Sequence, residues 1–119
     1  MLTTILIALI AALHLWILVL EMALWTHPAG RRAFGTSADF AEATKVLAAN
    51  QGLYNGFLAA GLAWAAIAGP MGAGQGPALF FLICVLVAGI YGGLTANRRI
   101  LAVQAAPAAL ALASWMAGL

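Results

Sequence analysis

Residues 2–25 read LTTILIALIAALHLWILVLEMALW. The run exceeds the ~20 apolar residues that a helix needs to cross a bilayer. Its only ionisable side chains are His14 and Glu21. No basic residue precedes it, and it is longer than the roughly 7–15 residues of a signal-peptide core. It is therefore expected to be retained as a spanning helix.

Working outward, three more apolar runs appear. The expected helices cover about 2–25, 42–68, 77–96 and 100–119, with a polar connection over about 26–41. The second helix has an alternative start near Ala38, with Thr36 or Ser37 as its cap and Asp39 in its first turn. Hydrophobic residues make up 66% of the 119-residue chain and charged residues 7%. A soluble domain carries about 25% charge, so this chain could not hydrate a soluble surface. The runs lack the apolar/polar alternation of barrel strands. Lipid leaves only helices and closed barrels as spanning structures. The expectation is an all-α polytopic membrane protein: one domain over 1–119, a compact bundle of four transmembrane helices.

Charge sets the expected orientation. Arg31, Arg32 and Lys45 lie between the first two runs, and Arg98 and Arg99 between the last two. All five basic residues thus fall on one side. The positive-inside rule assigns that side to the cytoplasm, which puts both termini on the non-cytoplasmic side. A bacterial inner membrane is the expected location. The arginine pairs are accounted for by orientation and by contact with anionic lipids, and no nucleic acid is implied. The stretch GAGQGP lacks the strand-to-helix context of a nucleotide loop.

Polar side chains within apolar spans are costly and usually face an interior or a cavity. His14 and Glu21, seven apart, share a helix face. Asn50, Gln51, Tyr54 and Asn55 crowd the basic-side half of the second helix. Tyr91 ends the third helix on that side, and Gln104 begins the fourth there. Gly52 and Gly56 form a small-residue stripe suited to close packing, and so do Gly89 and Gly93. Pro107 is expected to kink the last helix.

Every run thus places polar groups in one membrane half, which predicts a polar pocket open to the cytoplasmic leaflet. His14 and Glu21 are the candidate acid/base residues. Asn50, Gln51, Tyr54, Asn55, Tyr91 and Gln104 are the candidate pocket lining. The spacing of seven corresponds to about 10 Å along a helix, too far for a direct His–Glu pair. Three readings stand. The pocket binds or isomerises a small lipophilic molecule by proton transfer; a homodimer transports small molecules through Glu21; or the polar groups are structural glue. Whether the protein is an enzyme, and whether it forms a homo-oligomer, stays open at this point. Haem would need a second buried histidine besides His14, and His27 lies near the interface. Cys84 is the only cysteine and no zinc spacing exists. No cofactor or metal is expected; membrane lipids are the expected partners.

Four stretches carry a family likeness: EMALW at Glu21–Trp25, P-x-G-R-x-x-F at Pro28–Phe34, KVLAANQGLYNGFLAAGL at Lys45–Leu62, and VAGIYGGLT at Val87–Thr95. With these the chain resembles the DUF1304 family of small bacterial and fungal integral membrane proteins. The core Asn-Gln-Gly-x-Tyr-Asn at Asn50–Asn55 is the most specific part. The resemblance implies a four-helix membrane domain and names no activity.

Overall fold

The structure is a computed structural model that describes all residues, 1–119. It is an all-α bundle of five α-helices: α1 (Leu2–Met22), α2 (Pro28–Phe34), α3 (Ala38–Ala68), α4 (Gln75–Thr95) and α5 (Ala106–Met116). Two turns with π-type hydrogen bonds, Gly69–Ala73 (kinked at Gly72) and Leu101–Ala105, precede α4 and α5.

Three helices, not four, are long and apolar enough to cross a membrane. They are α1, α3 and α4, with mean hydropathy of 2.5, 1.4 and 2.3. The expected fourth span over 100–119 is the correction. Its helical part, Leu101–Met116, falls in the 10–17 residue class. Sixteen residues rise about 24 Å, short of a hydrocarbon core about 30 Å thick. Pro107 is the physical reason. Its missing N–H and its ring are incompatible with a regular turn ending at Val103. The backbone widens just upstream, and the Ala106 N–H bonds the Leu101 carbonyl five residues back.

Two other boundaries have local causes. α1 stops three residues before Trp25 because the Ala23 and Leu24 amides both fold back onto the Val19 carbonyl. Pro28 then opens α2, a helix inside the expected loop, at a position where its missing N–H costs nothing. Gly35, with φ of 66°, closes α2 in the left-handed conformation that suits glycine. Ser37 caps α3: its Oγ accepts the Phe40 amide at 3.2 Å.

The chain divides into two compact units. The first comprises residues 1–12 and 58–119. Its core gathers Ile7, Ile10, Ala11, Leu62, Ala65, Ala78, Leu82, Val85, Ala108 and Ala111. Small residues set the packing distance. A Cβ on Gly89 would meet Ala105 N at 2.5 Å, and one on Gly93 would overlap the Leu101 side chain. α4 and the π-turn therefore pack backbone to backbone, as small residues permit in lipid. Thr3 Oγ1 lies 2.8 Å from Ser114 Oγ and donates to the Leu119 main-chain oxygen at 2.7 Å. The Trp115 indole donates to the Pro70 carbonyl at 2.9 Å, tying α5 to the first π-turn.

The second unit, residues 13–57, holds the later part of α1, all of α2 and the first part of α3. Gly52 is buried against Leu18, Glu21 and Met22, and a Cβ there would lie 3.0 Å from the Glu21 Cβ. A Cβ on Gly56 would meet only the Leu18 side chain, at 2.6 Å. Trp25 bridges the unit: its indole donates to Thr44 Oγ1 at 3.0 Å, and its ring stands 4.9 Å from that of Phe34.

Candidate functional site

The glycine stripe of α3 positions the candidate site. With no side chain at Gly52, α3 comes close enough to α1 for Asn55 to reach Glu21. Asn55 Nδ2 donates to Glu21 Oε1 at 2.6 Å. The same amide nitrogen also donates to the Gln51 carbonyl, one turn back, at 3.2 Å. Two N–H donors committed to two acceptors fix the orientation of the amide. Both residues are buried, each at 6% exposure. A carboxyl this far out of water needs such a donor.

His14 is still more enclosed, at 1% exposure. It lies two turns from Glu21 on the same face of α1, about 10 Å along the axis.

The structure separates the remaining candidates. Asn50, Gln51 and Tyr54 are exposed on α3. Tyr54, at 61%, packs its ring edge-on against Phe57, with centroids 5.6 Å apart. Asn50 lines an open groove of about 470 Å³ together with Met22, Lys45, Val46, Ala49 and Leu53. Tyr91 and Gln104 belong to the other unit. Tyr91 is 70% exposed on α4, and Gln104 is half-buried within the second π-turn. Lys45 pairs with Glu42, the chain's one ion pair. No group of three or more His, Cys, Asp and Glu side chains comes together to hold a metal ion.

Sequence reasoning missed two features. One is Thr44, which holds the Trp25 indole. Its signal was its place one turn from the Phe40 carbonyl, to which its hydroxyl donates at 2.7 Å. The other is α2, whose Arg31 lies in a groove with Thr36. Pro28 at a helix start and Gly35 at a helix end were the readable signals for it.

Three apolar helices of spanning length, with a carboxyl and an imidazole enclosed on one of them, define a small multi-span membrane protein. The chain belongs to the DUF1304 family, described as a protein of unknown function, whose model matches residues 8–116. No curated protein and no solved structure matches the chain.

Proposed function

We propose that the polar cluster of residues 13–57 binds a small lipophilic molecule at the basic end of the spans, and that Glu21 exchanges a proton with it. One observation carries this reading: the buried Glu21 carboxyl held by Asn55. Ionisable groups within spans are expensive and mark function more often than packing. The groove lined by Met22, Lys45, Val46, Ala49, Asn50 and Leu53 supports it. Its volume of about 470 Å³ falls within the range of small-ligand sites, about 300–1,000 Å³. A ligand there would set its polar group against Lys45 and Asn50, and its apolar body against Val46 and Leu53.

Met22, the sequence neighbour of Glu21, lines that groove, and Glu21 does not. A shift of its side chain is the step this reading requires. Glu21 would take a proton from a carbon next to the ligand's polar group and return it to a neighbouring carbon. Charge and atoms then balance without a co-reactant. Asn55 would hold the carboxyl in position throughout. His14, two turns deeper, would serve as a second titratable group at the floor of the site. Gln51 and Tyr54 would meet the ligand's headgroup end; Tyr91 and Gln104 are not needed. In this reading the basic segments at Arg31–Arg32 and Arg98–Arg99 support a cytoplasmic position for this end, by the positive-inside rule.

A second reading has one observation in its favour. Asn50, Gln51 and Tyr54 are exposed polar groups on a spanning helix, and such groups hydrogen-bond readily to a second helix. A homodimeric carrier built around Glu21 would use them as its seam.

Native mass spectrometry of the gently extracted protein separates these readings. The binding site predicts one retained small molecule per chain, weakened in Asn50→Ala and still bound in Glu21→Gln. A bare dimer that dissociates on Asn50→Ala supports the carrier. A bare monomer, with Glu21→Gln indistinguishable from the parent, refutes both.

A further inference from the structure

We infer that the groove between α2 and the turn that follows it is a binding site for a phosphate group. The groove holds about 420 Å³ and is lined by Pro28, Arg31, Arg32, Gly35 and Thr36. It is separate from the Glu21 site and independent of its function.

Two polar atoms carry the inference. Arg31 Nε and Thr36 Oγ1 are both shielded from solvent, and neither has a hydrogen-bond partner within the protein. Shielded polar groups are satisfied in the great majority of cases. Local structure brings this pair together. Gly35 turns the chain in the left-handed conformation, and the Thr36 amide then bonds the Arg31 carbonyl at 3.0 Å. Five residues apart in sequence, the two side chains line one groove.

The chemistry of the donors selects the ligand. A guanidinium donates and never accepts, so the missing partner is an acceptor. The chain has three acidic residues. Glu21 holds Asn55, Glu42 holds Lys45, and no ion pair joins Asp39 to either arginine. Two arginines and a hydroxyl around one groove therefore call for an anion from outside the chain. A phosphate offers several oxygens, and the guanidinium fork matches them in pairs. The helix dipole opposes an anion at the C-terminal end of α2. However, the Arg31 carbonyl already accepts both the Gly35 and Thr36 amides, and two full positive charges outweigh the partial charge of a two-turn helix.

Position explains what presents the phosphate. Gly30 lies directly against the Leu24 carbonyl, where any Cβ would collide with backbone. α2 is thus held at the end of α1, just past the last residue of a spanning helix, with the rings of Trp25 and Phe34 tilted against each other. That is the depth at which aromatic belts and lipid headgroups sit. A phospholipid headgroup and a free phosphate share this chemistry.

The test uses the full chain, delipidated in detergent, with phosphatidylglycerol, phosphatidylcholine and inorganic phosphate as separate probes. The proposal expects one phosphatidylglycerol retained per chain in native mass spectrometry. Retention falls at least about tenfold in Arg31→Gln and in Thr36→Val. Arg99→Gln, which removes the same charge elsewhere, leaves it unchanged. Arg31→Lys keeps the charge and loses Nε; it must also weaken binding, which a purely diffuse attraction would not show. Displacement of the lipid by millimolar inorganic phosphate identifies a site for free phosphate. Resistance to that ion identifies a headgroup site. Equal loss in Arg31→Gln and Arg99→Gln, or retention of either phospholipid unchanged in Arg31→Gln, Arg31→Lys and Thr36→Val, overturns the proposal. Circular dichroism of each variant guards against misfolding, and Arg31→Lys supplies the answer should Arg31→Gln fail to fold.

Discussion

The Glu21–Asn55 hydrogen bond predicts a measurable coupling between two helices. The perturbation is a double-mutant cycle over Glu21→Ala and Asn55→Ala. The bond is short, 2.6 Å, and both partners are 6% exposed. Hydrogen bonds to charged groups contribute about 1.5–3 kcal/mol in soluble proteins. Interhelical bonds in a membrane protein average about 0.6 kcal/mol and reach about 1.7, because the unfolded chain in lipid also finds partners. The short distance and the enclosure of both groups place this bond near the top of the membrane range, at about 1.5 kcal/mol. Asn55→Ala alone should cost more than the coupling, since it also gives up the contact with the Gln51 carbonyl. Glu21→Gln keeps an acceptor opposite Asn55 Nδ2 and should retain part of the coupling. The assay is reversible unfolding in mixed micelles with rising dodecyl sulfate, followed by the fluorescence of the four tryptophans. Single costs that sum to the double cost within about 0.3 kcal/mol would show that the two side chains do not interact, and the site built on them would go with them.

Other outcomes follow from the same contacts. Gly52→Ala should destabilise by about 1–2 kcal/mol, because its Cβ would lie 3.0 Å from the Glu21 Cβ and 3.3 Å from the Leu18 carbonyl. Gly56→Ala should be close to neutral, since only the movable end of Leu18 stands in its way and alanine adds about 1 kcal/mol of helix propensity; the same unfolding assay ranks the two. Gly30→Ala should detach α2 from the end of α1 and expose Trp25, read as a red shift and faster quenching of its fluorescence; an unchanged spectrum contradicts the close approach at Leu24. Trp25→Phe should cost about 1 kcal/mol through the lost bond to Thr44, and in a Thr44→Val background, where that bond is already gone, it should cost nothing through it.

The spans were legible because lipid imposes a length and a composition, and α1, α3 and α4 satisfy both. The last run satisfied composition alone. Counting apolar residues over 100–119 counts a proline among them, and hydropathy does not register what Pro107 does to the hydrogen-bond ladder upstream. The widened turn at Leu101–Ala105 shortens the regular helix that follows to eleven residues. A proline at 107 predicts a kink within a span; its larger effect is on the length of the span itself. α2 was missed for the opposite reason. Seven residues with two arginines show no apolar period, and the helix exists because proline starts it, Gly35 stops it and Gly30 lets it dock.

The site was legible in depth but not in direction. Residue numbers fix how far along a helix a polar group lies; which way it points depends on the neighbour that the helix packs against. In α3 that neighbour is chosen by its small residues. Ala48, Gly52, Asn55, Ala59 and Leu62 are all buried, spaced by four, three, four and three, the period of a packing seam. Asn55 is the one polar member of that seam. Asn50, Gln51 and Tyr54 fall off it and are exposed. The densest polar stretch of the sequence therefore divides: one amide is spent on holding Glu21, and three side chains face outward. The division can be tested by moving it. In a variant carrying Asn55→Ala and Gln51→Ala, only the first change removes a seam residue. The pair should be no less stable than Asn55→Ala alone, because the Gln51 side chain is exposed and lies off the seam. Alanine at 51 should even recover a few tenths of a kcal/mol in helix propensity. A further loss of about 1 kcal/mol in the double variant would mean that the Gln51 side chain turns inward, and that the seam does not decide which polar groups of α3 are available to a ligand.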